Sequence, residues 1–270
     1  MKGVWKAIAY FLVYMGLTAI LQLLLSAGLS VVGVTKGLRE ESLIVEFVAG
    51  HFLGMTVISG ILTVLVLYLV FKLRKIQVKQ EWKFKKCNLR EIIMASVIAF
   101  AYSFLFALCT YNVPVGNALM MTYSVDFYNK VSPMLGFVLL AANLLVVAPI
   151  AEEIALRGIV YTRVEKTVSP IVAIMVSGIL FGIMHIMAGG IVLGIGAMLM
   201  GLVLSYIFYK FKSLWVCIIA HAVANLPDFI LYYKPDISSG MFWGLIVFFV
   251  CLFVAGVVFM HRTVQSDDTV

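Results

Sequence analysis

Apolar residues run along this chain in long stretches instead of alternating with polar ones, and the polar residues gather in short intervals between them. The stretches cover roughly 5–34, 47–71, 92–112, 134–165, 170–188, 190–209, 213–232 and 240–260. Most reach or exceed the about 20 residues that an α-helix needs to cross the hydrocarbon core of a bilayer. A closed barrel would instead show short alternating segments, and none appear. The pattern predicts an all-α, polytopic integral membrane bundle of about eight transmembrane helices. Pro149 suits a first helical turn, so the fourth stretch is expected to break and restart there. The first stretch follows Lys2 and Lys6 but is about twice the length of a signal-peptide core, so it reads as a retained span.

Three regions follow: N-terminal helices over 1–133 with a basic loop at 72–90, a core at 134–232, and a last helix with a short tail at 233–270. The composition agrees with this picture. Mean hydropathy is +1.09 and 12% of residues are charged, against about a quarter in soluble domains.

Charge sets the expected orientation. With the N-terminus inside, the cytoplasmic side collects fifteen basic residues: Lys2, Lys6, the eight of "KLRKIQVKQEWKFKKCNLR" (Lys72 to Arg90), Arg163, Lys166, Lys210, Lys212 and Arg262. The other side holds four, Lys36, Arg39, Lys130 and Lys234. Both termini are therefore expected in the cytoplasm. The net charge of +7 belongs to this bias and to the anionic lipid leaflet beside it, not to nucleic-acid binding. The four cysteines show neither CxxC spacing nor a disulfide framework.

Ionisable groups inside spans are costly and point to function. Glu152, Glu153, Arg157, His185 and His221 stand there, with Asn143 and Asn225 as uncharged companions. Glu46, His51 and His261 fall at span ends, where the interface solvates them. Glu153 and Arg157 are spaced to pair along one helix face, whereas Glu152 is turned by about 100° and left available. Phe181 and His185 share a face, as do His221 and Asn225. Counted from the basic side, Glu152, His185 and Asn225 reach a common height of roughly 20–22 Å at 1.5 Å per residue. The glycines of "GILFG" and "GIVLG" read as helix-packing positions. The first three spans show no readable chemistry.

A carboxylate, two imidazoles and an amide around one cavity suit acyl-bond hydrolysis, with the carboxylate as general base and N–H groups facing the oxyanion. The set Glu152, His185 and His221 is also a conceivable zinc ligand set.

In order, "EEIALR", "FGIMH" and "HAVAN" resemble the motifs of the CAAX-protease and bacteriocin-processing family, the Rce1- and Abi-like intramembrane proteases. Ala155 and Leu156 stand where many members carry bulkier aromatic residues. The resemblance implies that Glu152 and His185 activate water and that His221 and Asn225 form the oxyanion hole. Glu153 and Arg157 would hold the geometry, and Phe181 would pack on His185. It also implies a glutamate mechanism with no required cofactor, zinc being the alternative. The expected partners are membrane lipids and a peptide or membrane-protein substrate, in a bacterial cell membrane. The competing expectation is a non-catalytic immunity or scaffold protein that binds a peptide or a sensor.

Overall fold

The structure is a computed structural model that describes residues 2–110, 119–227 and 237–266. The ends of two expected stretches, at 111–112 and 228–232, lie outside these residues, as does Lys234. No strand occurs among the described residues. The helices are α1 (Lys2–Thr35), α2 (Glu41–Gly50), α3 (Phe52–Leu73), α4 (Val78–Glu81), α5 (Leu89–Cys109) and α6 (Leu119–Val131). They continue with α7 (Pro133–Glu165), α8 (Pro170–Phe211), α9 (Leu214–Ala224) and α10 (Ser239–Ser266). Six described helices are long and apolar enough to cross a membrane, while α9 is shorter. The chain is a polytopic all-α membrane protein.

Two of the expected stretches share α8. Its backbone leaves helical geometry at Gly189 (φ −151°) and Gly190 (φ +82°). The arms on either side fold back on each other, which explains one entry of the glycine pattern differently from the sequence reading. Gly190 has open space around it and serves the turn, for which a positive φ favours glycine. Gly178, Gly182, Gly194 and Gly201 do bring the arms together. A Cβ at Gly182 would lie 2.6 Å from the Met198 Cβ and 2.8 Å from the Gly194 carbonyl oxygen. Because part of that obstacle is backbone, Gly182→Ala is expected to cost about 1–3 kcal/mol. A lowered unfolding temperature of the purified protein would show it; an unchanged one would mean that the arms can part freely.

Helix α7 does not break at Pro149. It runs through two π-helical segments, Asn143–Val147 and Ile154–Tyr161, which flank a short α-helical piece, Ala148–Glu153. The first segment ends with the Ala148 N–H bonded to the Asn143 carbonyl, an i→i−5 bond. Continued one residue, that register would pair position 149 with the Leu144 carbonyl, and proline has no N–H to give. The widened turn thus absorbs the proline and leaves one carbonyl for another donor.

Helices α1 and α3 run antiparallel. Thr18 meets Thr63 across the interface at 3.4 Å, and the Gln22 amide donates to the Ser59 hydroxyl at 2.9 Å. Close packing of α3 against α7 depends on Gly60, where a Cβ would come within 2.5 Å of the Val147 Cγ1.

At one end of the bundle the loop 74–88 folds onto the helices. Trp82 is buried, the Leu214 N–H donates to the Lys83 carbonyl, and the Ser213 hydroxyl donates to the Lys85 carbonyl. Glu81 lies 3.4 Å from Arg163 and 3.1 Å from Lys166, and Lys212 pairs with Glu165. Three helix ends close with the same pair of backbone bonds, six-to-one and five-to-two. They are Leu38→Gly33 with Gly37→Val34, Ile76→Phe71 with Lys75→Lys72, and Phe84→Lys79 with Lys83→Gln80. In each the cap residue is left-handed, at φ 94° for Gly37, 56° for Lys75 and 58° for Lys83. Glycine adopts that conformation freely, whereas another L-residue gives up roughly 1–2 kcal/mol there.

Candidate active site

The polar cluster is built on α7, at the junction between its α-helical piece and its second π-helical segment. Glu153 and Arg157 are both fully buried. Arg157 Nη1 donates to Glu153 Oε1 at 2.8 Å, so the pair expected from their spacing is present. The second guanidinium nitrogen, Nη2, donates to the Gly201 carbonyl at 2.8 Å. Its plane lies over the Phe181 ring, with Cζ 5.0 Å from the centroid. One side chain of α7 is therefore tied to both arms of the α8 hairpin.

Glu153 does more than balance the arginine. The same oxygen, Oε1, meets His221 Nδ1 at 2.9 Å, which fixes the ring supplied by α9. A carboxylate oxygen can only accept, so His221 Nδ1 carries the proton of this bond. The opposite nitrogen, Nε2, then faces Glu152 Oε2 at 3.8 Å. Phe181 stands edge-on to this imidazole with ring centroids 5.6 Å apart. Glu153 Oε2 and Arg157 Nε are buried with no hydrogen-bond partner among the described residues.

Glu152 differs from its neighbour in two ways. Its side chain retains 17% exposure where that of Glu153 has none. It also has no cation other than His221 beside it. Adjacent in sequence, the two carboxylates are thus separated by environment, one locked into an internal ion pair and the other open.

His185 and Asn225 border the cluster. The His185 ring packs on Phe181 with centroids 4.5 Å apart, and its Nδ1 donates to the Phe181 carbonyl at 2.9 Å. Asn225 Nδ2 donates to the Leu144 carbonyl at 2.7 Å, the acceptor that Pro149 leaves free. Asn225 thereby ties the end of α9 to the first π-helical segment, and one of its two amide hydrogens is spent doing so. Among the described residues no direct hydrogen bond joins Glu152 to His185 or to Asn225. Nor do any three His, Cys, Asp or Glu side chains among them converge to hold a metal ion. The set Glu152, His185 and His221 does not fit a zinc ion as arranged, and no step is derived through one.

One neighbour of the cluster escaped the sequence reading. Tyr14 of α1 is buried in the same core as Ile154 and Phe181. Its hydroxyl lies in the field of Glu152 first and of Glu153 second. Tyr14, Thr18 and Gln22 recur at four-residue intervals in an otherwise apolar helix, and the last two face Thr63 and Ser59 of α3. That recurrence was the available signal.

Fold and cluster together define a helical membrane protein with a polar, internally neutralised site inside its bundle. Residues 134–227 match the family described as type II CAAX prenyl endopeptidase Rce1-like, in agreement with the resemblance carried by the three motifs. The matched segment contains all six residues singled out above, from Glu152 to Asn225. At the level of that family, the comparison supports a protease of the CAAX type. No curated protein and no solved structure matches the chain.

Proposed function

We propose that this protein is an intramembrane endopeptidase in which Glu152 removes a proton from the attacking water. The observation that carries the reading is the division of labour between the two glutamates. Glu153 is committed to Arg157 and His221 through one oxygen, while Glu152 remains partly exposed and faces the free nitrogen of the same imidazole.

The hydrogen bonds also assign the tautomers. His221 and His185 each donate from Nδ1, so a neutral ring presents Nε2 as an acceptor. A water lying between Glu152 and His221 Nε2 would donate one hydrogen to each and keep its lone pairs for the scissile carbonyl. The proton lost on attack enters the Glu152–His221 pair. On His221 it creates the Nε2–H that faces the oxyanion, beside the remaining N–H of Asn225. On collapse the proton passes to the leaving amine, which balances the hydrolysis. This reading keeps the roles implied by the resemblance, but makes the oxyanion donor on His221 a product of the first step. The substrate is a peptide or membrane-protein segment that can enter the bundle at the level of Glu152.

The test compares peptides released by cells carrying the wild type or Glu152→Ala at equal membrane levels. A peptide that disappears with Glu152→Ala is the expected outcome, and its ends give the cleavage site. An unchanged set of peptides together with a retained cellular phenotype would favour a binding protein that keeps the fold without the chemistry.

A further inference from the structure

The helix caps point to a second site, remote from the glutamates and independent of proteolysis. The same capping motif closes three helices, yet the residue in its left-handed position changes. It is Gly37 in one cap, and lysine in both caps of the loop at the opposite end of α1, Lys75 and Lys83. Placing lysine in a conformation that suits glycine spends stability on a charge. A cation at a helix C-terminus gains from the helix dipole, which could account for Lys75 after the 22 residues of α3. It cannot account for Lys83, because α4 has only four residues.

The surroundings leave these charges unanswered. All eight basic residues of the segment, Lys72, Arg74, Lys75, Lys79, Lys83, Lys85, Lys86 and Arg90, are exposed. None of them forms an ion pair among the described residues, because the two acids nearby are already occupied. Glu81 is shared by Arg163 and Lys166, and Glu91 closes the capping box with Asn88 at the start of α5. Buried Trp82 and the bonds to Ser213 and Leu214 hold the loop against the bundle, so the charges are displayed on an ordered surface. The loop also sits between two helices that can span a membrane, and at its edges Leu73 and Leu89 are 83% and 70% exposed. Cations at headgroup height with leucines below them match a phospholipid in both charge and depth.

We propose that the folded loop 72–90 is a preorganised binding site for the phosphate-bearing headgroups of anionic lipids. Lys75 and Lys83 are its fixed contacts, and Leu73 and Leu89 lie against the acyl chains. Such a site retains particular lipids around the bundle whatever the substrate.

Native mass spectrometry of the full-length protein in detergent tests this, with phosphatidylglycerol and phosphatidylcholine of identical chains as probes. The wild type is expected to bind phosphatidylglycerol more tightly, with a preference that shrinks as salt rises. The double variant Lys75→Gly/Lys83→Gly should unfold at a higher temperature and bind phosphatidylglycerol about fivefold more weakly per lysine lost. Since glycine relieves the caps, weaker binding could not be blamed on misfolding; Lys79→Gln/Lys86→Gln, which leaves the caps alone, should weaken it as well. Equal binding of the two lipids by the wild type would overturn the proposal. So would unchanged phosphatidylglycerol binding by the glycine variant. Binding of an acidic peptide in place of phosphatidylglycerol would give the surface to a protein partner and likewise end the lipid reading.

Discussion

Replacing Arg157 with methionine is expected to destabilise the fold by about 3–5 kcal/mol, the usual consequence of removing one partner from a buried ion pair. The geometry gives the reason. Arg157 and Glu153 have no solvent exposure, and the guanidinium is the only group donating to both the Glu153 carboxylate and the Gly201 carbonyl. Methionine fills similar space and keeps contact with Phe181 but returns neither bond. A buried negative charge would remain, together with a carbonyl that has lost its side-chain donor. A loss of that size is a large part of the roughly 5–15 kcal/mol that holds a typical domain together. Thermal unfolding of purified protein would measure it, with Glu153→Gln and the double variant completing a cycle. The double variant should recover part of the loss, because it removes the unmatched charge. A single variant as stable as the wild type would mean that the arginine contributes nothing to the fold.

Replacing His221 with alanine should act on chemistry more than on folding. Glu153 would keep its bond to Arg157, so no buried charge is stranded. The imidazole that faces Glu152 at 3.8 Å would be gone, and with it the second acceptor for water and the donor it later becomes. Cleavage of the peptide identified with Glu152→Ala is expected to slow by about 10²–10⁴-fold, the range for a lost acid–base group. Comparable unfolding temperatures would show that the protein remains folded. If the rate persists, His221 serves only to orient Glu153, and the proton path must run elsewhere. Glu153→Gln is not a neutral companion in such an experiment. The structure gives Glu153 two partners, Arg157 and His221, where its spacing alone announced one.

Much of this arrangement was legible because spacing maps directly onto helix faces. The four-residue step from Glu153 to Arg157 produced the ion pair, and the step from Phe181 to His185 produced the ring contact. The separation of 170–188 from 190–209 anticipated the turn at Gly189 and Gly190. Two features stayed hidden for physical reasons. Helix α7 is apolar around most of its circumference, so hydrophobic periodicity cannot distinguish an i→i−5 register from an i→i−4 one. Pro149 therefore looked like a new beginning when it was a residue accommodated by a wider turn. Tyr14 was hidden because one phenol in a helix of 34 residues looks like packing until its partner helices are known. The lysine caps were equally silent, since a left-handed backbone is signalled in sequence by glycine or asparagine and lysine occupies those positions here.

The π-helical segment Asn143–Val147 also has a consequence for the spacing that evolution can permit. A π turn accommodates one residue more than an α-helical register would hold. Losing a residue there would let the helix close into regular α geometry, but everything after it would swing by about 100° relative to Pro133. Glu152 would turn from His221, Arg157 from Gly201, and the Leu144 carbonyl would leave Asn225. Side chains along 143–147 are thus freer to vary than their number. In this helix, chain length is itself a catalytic specification.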